Sequence, residues 1–455
     1  MEKQLAENKM GVMPVGKLLF NMAGPMIVSM LVQALYNVVD SMFVAMMNED
    51  ALSALSLAFP MQNLMIAVGS GLGVGINAMI SRSLGEKRQE AANRYAMQGL
   101  LLEGISYLVF LLIGLFAAAP FILVQVGEMN RIAEYGITYL SICCACSFGF
   151  FMQITLERIL QSTGRTMLTM ITQSVGAVIN IILDPILIFG LFGAPELGVA
   201  GAAIATVIGQ CVAGLLALYM NLKKNPDIQF HVRLLRPCRE YLLQILYIGI
   251  PSILMVSIGS IMTFCMNKIL IAFTSTAVAV FGVYFKLQSF VFMPIFGLNN
   301  GLVPIVSFNY GARKRERMER AIRLAYIAAE VIMIIGLLIF QLMPDKLLFL
   351  FGGSEEMLSI GVPALRIIST SFLFAGLAIV SSSICQALGR GLYSLAVSFG
   401  RQIVVLLPAA FLLSRLDVLN LVWLAFPIAE IASITLALIF VRRTLRHLDW
   451  SKAEN

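Results

Sequence analysis

Long apolar runs, each separated from the next by a short polar segment, recur along the whole chain and leave little choice of fold. They fall near 16–46, 51–81, 95–119, 132–156, 166–192, 198–222, 241–272, 276–308, 321–343, 359–387, 391–414 and 419–441. A helix crossing a bilayer needs about 20 predominantly apolar residues, and every run supplies them. With 59% hydrophobic and 13% charged residues, and a mean hydropathy of +0.88, the chain lacks the polar surface a water-soluble domain requires. The reading is an all-α integral membrane protein of twelve transmembrane helices.

Charge alternates between successive connections. Segments 1–17, 82–94, 157–165, 223–240, 311–323, 388–391 and 442–455 hold most of the Lys and Arg, whereas Glu49-Asp50, Glu196, Glu355-Glu356 and Asp417 mark the opposite side. By the positive-inside rule both termini face the cytoplasm of a cell membrane, which requires an even number of helices. The net charge of +7 is then an orientation signal, and no nucleic-acid partner is expected. The two histidines, His231 and His447, lie in polar segments, so neither a zinc site nor a Ser-His-Asp triad can be assembled within the membrane. The chain is not expected to be an enzyme or to carry a cofactor. Its seven cysteines form no CxxC pair and read as small buried hydrophobes.

An internal repeat divides the chain. A shift of 226 residues places Pro25, Phe59, Gln62, Gly71, Gly75, Ser81 and Gly85 on Pro251, Phe285, Gln288, Gly297, Gly301, Ser307 and Gly311 without a gap. A shift of 225 then places Gln161-Ser162-Thr163-Gly164-Arg165 on Gln386-Ala387-Leu388-Gly389-Arg390. Each repeat holds six helices, an even number. Both lobes therefore keep the same orientation and are related by a pseudo-two-fold axis along the membrane normal. The expected division is an N-terminal lobe over 1–222, a cytoplasmic linker over 223–240 and a C-terminal lobe over 241–455. Substrate sites of duplicated membrane folds lie between the repeats, which favours transport over a scaffold role.

Two acids break the symmetry. Asp40 aligns with Met266 and Asp184 with Ala409, so both belong to the first lobe alone. An ionised side chain at the bilayer centre costs roughly 2.5–3.5 kcal/mol on insertion scales, and such residues mark ion paths and proton relays. At about 1.5 Å rise per residue, both aspartates fall in the last third of outward-running helices and so lie at similar depth. Tyr36 and Asn37 share a helix face with Asp40, and Asn180 shares one with Asp184. Thr206, early in an inward-running helix, lies at comparable depth. Asp40, Asn180, Asp184 and Thr206 would present only oxygen donors apart from one amide nitrogen, which suits Na⁺ or a proton shared between the carboxylates. Pro25 and Pro185 remove backbone hydrogen bonds and permit kinks coupled to that site.

These residues resemble the multidrug and toxic compound extrusion (MATE) transporters over essentially the whole chain. The resemblance rests on Leu35-Tyr36-Asn37-Val38-Val39-Asp40, the Ser81-to-Arg88 loop with its echo at Ser307-to-Arg315, Gln161-Ser162-Thr163-Gly164-Arg165, Asn180-Ile181-Ile182-Leu183-Asp184-Pro185 and Gly198-to-Thr206. The first-helix aspartate together with Asn180 and Asp184 is similar to the DinF-like branch. For that branch the resemblance implies cation coupling through Asp40, Asn180, Asp184 and Thr206, with Tyr36 and Asn37 nearby. The acidic residue of the NorM-like branch is missing, since 241–272 contains no Asp or Glu. The implied activity is export of small-molecule drugs, often organic cations, in exchange for H⁺ or Na⁺, by alternating access of two lobes in a protein expected to act as a monomer.

An adaptable apolar cavity is expected from Met61, Met65, Phe151, Met152, Phe292 and Met293, with Gln33, Gln62 and Gln288 as polar contacts. Glu103, Lys268, Lys286, Glu330 and Arg366 are further charges in or near spans, and Arg401 with Glu430 is expected to form a pair inside the second lobe. The rival reading within transport is a lipid-linked saccharide flippase, which would need several Arg or Lys at midplane depth.

Overall fold

In the computed structural model, which describes residues 8–352 and 354–448, the apolar runs are helices and no strand occurs among the described residues. The first lobe comprises α1 (Val15–Ala45), α2 (Glu49–Gly85), α3 (Gln89–Val126), α4, α5 (Thr166–Phe189) and α6 (Val199–Lys224). Here α4 is a pair, Arg131–Ala145 and Phe148–Ser162, bent by 46°. The second lobe comprises α7 (Arg239–Ile271), α8 (Ser275–Gly311), α9 (Arg315–Leu342), α10, α11 (Gly391–Ser414) and α12 (Ala425–Arg446). Its α10 is the matching pair, Glu355–Ser369 and Phe372–Ala387, bent by 50°. Among the described residues ten helices are long and apolar enough to span a membrane, and the two bent pairs raise the number to twelve.

The repeat extends to local geometry. Asn48 caps α2 by accepting from the Ala51 N–H at 2.7 Å, and its repeat partner Thr274 caps α8 through the Thr276 N–H at 3.2 Å. Just past these helices, Lys87 and Arg313 both adopt positive φ, 57° and 59°. The Ser81 hydroxyl donates to the Ser162 carbonyl at 3.0 Å, and that of Ser307 to the Ala387 carbonyl at 2.8 Å. Duplicated sequence thus yields duplicated hydrogen bonds, and the two lobes are related by a pseudo-two-fold axis along the membrane normal.

Glycines hold the lobes together at the end that carries the basic loops. A Cβ on Gly71 of α2 would lie 2.6 Å from Ile253 Cγ1 of α7, and one on Gly297 of α8 would lie 2.6 Å from Ile27 Cα of α1. Gly301 repeats the approach against Ala23, at 2.7 Å from its Cα. Only glycine admits backbones this close, the small-residue packing used by membrane helices. Farther along α2, a polar contact between lobes joins Asn63 Nδ2 to Ser260 Oγ at 3.2 Å. Between the lobes the chain passes through a 3₁₀ turn, Val232–Leu235, pinned by Gln98 of α3. The Gln98 amide donates to the carbonyls of Leu234 and Arg236 at 2.7 and 2.9 Å and accepts from the Cys238 N–H at 3.0 Å.

One expectation is corrected here. Segment 157–165 is not a connection throughout: the second half of α4 continues to Ser162 and carries Glu157 and Arg158 into the lobe. Glu157 is 2% exposed and accepts from Thr172 Oγ1 at 2.9 Å, Gln173 Nε2 at 2.7 Å and Gln153 Nε2 at 3.0 Å. Three donors make its burial tolerable. A hydropathy pattern registers the two charges as the end of a span, although here Glu157 is bonded inside the lobe and Arg158 reaches Asn300 across the lobe interface.

Candidate functional site

Helix α1 runs unbroken past Pro25, whose ring removes the N–H that would have bonded the Asn21 carbonyl. Thr166 Oγ1 of α5 donates to that carbonyl at 3.3 Å. The substitute bond seats the start of α5 against α1. Nearer the opposite end α5 packs on α6 through glycines: a Cβ on Gly209 would lie 2.8 Å from the Gly176 carbonyl and 3.3 Å from Asn180 Cβ. This close approach brings Thr206, one turn before Gly209, against Asn180.

Three helices thereby converge on one polar cluster. Asp184 is fully buried, Asn180 is 2% exposed and Thr206 is 9% exposed. With its amide oriented to satisfy both ends, Asn180 donates to Asp184 Oδ2 at 3.1 Å. Its oxygen then accepts from the Thr206 hydroxyl at 3.2 Å and from the Thr206 N–H at 3.0 Å. The Asp40 and Asp184 carboxyls lie close enough for each to act on the other's charge, and Tyr36 lies within electrostatic reach of both. Asp40, half-buried, keeps Oδ1 enclosed without a partner. Two carboxyls this close in a low-dielectric site resist double ionisation and favour sharing a proton. The unpaired Asp40 oxygen, Asp184 and the Thr206 hydroxyl are oxygens that a monovalent cation could use in that proton's place, with the Asn180 amide oxygen engaged by Thr206. No group of three or more His, Cys, Asp or Glu able to hold a metal occurs among the described residues. Any cation here would therefore rely on neutral oxygens beside the two carboxylates.

Two further residues belong to this cluster although nothing in the sequence singled them out. Tyr139 of α4 is 4% exposed, within electrostatic reach of Asp40, and accepts from Gln62 Nε2 at 3.3 Å. Cys143, one turn on, is buried beside Tyr139 and within electrostatic reach of Asp40. Both lie in the run 132–156, whose single charge, Glu134, sits near its start, so neither pattern nor charge marks them. Above the cluster, Ile188, one turn past Asp184, helps floor a cavity of about 570 Å³ also lined by Arg131, Glu134, Tyr135, Thr138 and Glu196.

The remaining expected residues scatter. Asn37 is exposed, and only its backbone carbonyl is engaged, by Ser41 Oγ at 2.9 Å, so it does not join the Asp40 cluster. Met65, Phe151 and Phe292, expected in the cavity, are instead 4%, 1% and 8% exposed within the lobe cores. Phe151 packs on Phe110 and Phe150, and Phe292 on Phe372. A helix apolar on every face gives no sign of which side turns inward, so their burial here could not be read from the sequence. Met61 is partly buried against the first-lobe core, and Met152 reaches Gly214 of α6. Gln62 turns into the lobe toward Tyr139. Gln33 is exposed, whereas Gln288 and Met293 are half-buried.

The second lobe has a different polar centre. A π-helical turn, Gly400–Leu406, carries Arg401 toward Glu430 of α12, giving an Nη1–Oε1 distance of 2.5 Å. Glu430 is 6% exposed.

The MatE family model matches residues 25–186 and 251–412, one segment in each lobe. The chain is 28% identical over 444 residues to the multidrug export protein MepA of Staphylococcus haemolyticus, covering 96% of this chain and 95% of that protein. It is 28% identical over 426 residues to MepA of Staphylococcus aureus strain MRSA252, covering 92% and 91%. Among solved structures it is similar to one described as the outward-facing conformation of a multidrug resistance MATE family transporter of the MOP superfamily. That likeness has a TM-score of 0.90 at 26% identity and covers 98% of this chain and 99% of the other. This chain, with both its lobes matched, belongs to the MatE family.

Proposed function

We propose that this protein is a multidrug efflux antiporter, exporting small organic compounds, often cationic, in exchange for H⁺ or Na⁺. The observation that carries the reading is the pairing of two mutually interacting carboxyls, Asp40 and Asp184, from different helices, with an enclosed, unpartnered Asp40 oxygen. In this reading residues 1–222 form the coupling lobe, 223–240 a cytoplasmic linker and 241–455 the second lobe, in a monomer with both termini in the cytoplasm of the cell membrane. The glycine-sealed end then faces the cytoplasm and the cleft between lobes opens outward.

Coupling follows from occupancy of one site. An external cation or proton settles between Asp40 and Asp184, with Asn180, Thr206 and Tyr36 holding the carboxylates in place. The cavity beneath Glu134 and Glu196 gives the ion a route to them. Neutralising the pair weakens its hold on a cationic drug, which leaves outward. Linkage requires the drug to weaken cation binding by the same factor. A flippase for lipid-linked saccharides is less well supported, because the deep arginines are occupied: Arg401 by Glu430, and Arg158 by Gln161 and Asn300.

The test is efflux of ethidium or a fluoroquinolone in inverted vesicles, with pH and Na⁺ gradients imposed separately. Efflux should follow one gradient and be lost in Asp40→Asn and Asp184→Asn. Efflux that ignores both gradients, or that persists in both variants, refutes the reading.

A further inference from the structure

Below the Asp40 cluster, toward the basic end, the first lobe buries a second set of charges. Glu103 of α3 is 1% exposed, and neither of its carboxylate oxygens has a hydrogen-bond partner. The charge that acts on it is Arg158 of α4. That guanidinium is turned elsewhere: Nη1 donates to Gln161 Oε1 at 3.0 Å and, across the lobe interface, to Asn300 Oδ1 of α8 at 2.9 Å. Its stem lies in a groove that exists because residue 73 is glycine. A Cβ there would sit 2.9 Å from Arg158 Cγ and 3.0 Å from Nε.

We propose that Glu103 is a second proton-carrying carboxyl, which gives up its proton and ion-pairs with Arg158 when the basic-side interface between the lobes opens. An ionised carboxylate in such a site, with no hydrogen bond, costs several kcal/mol, whereas the neutral acid costs far less. In the closed interface Arg158 is spent on Asn300, and Glu103 keeps its proton. When α8 moves away, Arg158 loses Asn300. The guanidinium swings to Glu103, and the proton leaves to the water entering the crevice.

The other charged and titratable groups around α3 do not compete for this role. Glu157 is saturated by Thr172, Gln173 and Gln153. On α3 itself, Glu90 pairs with Arg94 at 3.1 Å, and Arg94 lies over Tyr241 of α7, two turns or more from Glu103. Tyr95 bonds Gln244 of α7 in the same region. Arg233 lies on the 3₁₀ turn near Gln98, and Arg131 and Glu134 sit at the far end of α4.

This proposal rests on the alternating-access reading, but its test needs neither drug nor gradient. Full-length protein in liposomes is examined by infrared difference spectroscopy between acidic and alkaline buffer, and by hydrogen–deuterium exchange over the α8 segment around Asn300. The wild type should show a protonated-carboxyl component that is absent from Glu103→Gln, kept by Asp40→Asn and shifted in frequency by Glu103→Asp. Corrected for the intrinsic base-catalysed increase, exchange at α8 should rise severalfold at alkaline pH in the wild type and stay unchanged in Glu103→Gln. Should Glu103→Gln fail to fold, the frequency shift in Glu103→Asp decides alone. An unchanged carboxyl component, its loss in Asp40→Asn, or the same α8 exchange in both proteins overturns the proposal. Failure of cation-driven efflux alone would instead refute antiport and leave the infrared result standing.

Discussion

Asn180 donates to Asp184 Oδ2 at 3.1 Å and accepts from the Thr206 hydroxyl at 3.2 Å, a series that stands beside the Asp40 carboxyl. In the proposed mechanism, neutralising either acid removes the charge that distinguishes cation-loaded from cation-free states, yet leaves an amide of nearly the same shape. Asp40→Asn and Asp184→Asn should each lower cation-driven efflux by about tenfold or more, equivalent to about 1.4 kcal/mol per tenfold, with normal expression. Proteoliposome transport under an imposed gradient measures this, and equal rates in wild type and variants would remove the pair from the mechanism.

Asn180 is the joint of that series. Asn180→Ala strands Asp184 and the Thr206 N–H together, and a buried polar group left unmade costs about 1–3 kcal/mol. The variant should melt earlier in detergent and need a higher cation concentration for half-maximal transport. Thr206→Ser, which keeps the hydroxyl, should restore most of what Thr206→Ala loses. If Thr206→Ala matched the wild type in both melting and cation dependence, the series would have no functional weight.

Lys9 joins the N-terminal arm to the lobes by donating to Asn21 Oδ1 at 2.5 Å, ahead of the first span. Burial, and secondarily the Arg165 charge, lowers its pKa from the ordinary 10.5. The unfolded chain therefore binds more protons between the folded value and 10.5, so stability rises with pH across that window. The melting temperature should climb as pH approaches 10.5, and Lys9→Met should flatten the climb. Parallel curves for the two proteins would show that the arm does not sense its own charge.

The parts of this structure legible in the sequence are those in which a residue type contradicts its surroundings. Asp40, Asn180, Asp184 and Thr206 stand out as polar groups in apolar runs, and the matching glycines and serines expose the repeat. Tyr139 and Cys143 complete the same cluster unseen, because a half-apolar side chain in an apolar helix contradicts nothing. Glu157 and Arg158 mislead in the opposite sense: charges at the border of a run look like an exit from the membrane unless their partners on α5 and α8 are known. Met65, Phe151 and Phe292 fail because apolar residues cover every face of their helices, so burial is settled by packing between helices rather than by periodicity.

Gly297 closes the lobe interface against α1, whereas Gly282, on the same α8, has nothing within 4 Å of where a Cβ would stand. Gly297→Ala should therefore hold the basic-side interface apart and slow turnover severalfold with the fold intact. Gly282→Ala should be neutral or slightly stabilising, since alanine restricts the unfolded chain without a clash. Distance measurements between spin labels on the loops after α2 and α8 would resolve the difference. Equal distances and equal turnover in the two variants would mean that the contact yields at no cost.

Arg401 and Glu430 should behave as a unit. Removing one partner of a buried ion pair costs about 3–5 kcal/mol in the fully buried limit, because the other charge is left uncompensated, whereas replacing both with apolar groups of similar size is often close to neutral. The Arg401 side chain is 30% exposed and that of Glu430 8%, so the larger penalty belongs to Arg401→Met, which strands the more deeply buried charge. Glu430→Met should cost less, and the double variant Arg401→Met/Glu430→Met should recover most of the loss. A double-mutant cycle on melting temperature in detergent measures the coupling. Additive losses would show that the two side chains meet without stabilising one another. Transport retained in the double variant would place cation coupling in the first lobe, where the second lobe's repeat positions, Met266 and Ala409, carry no acid.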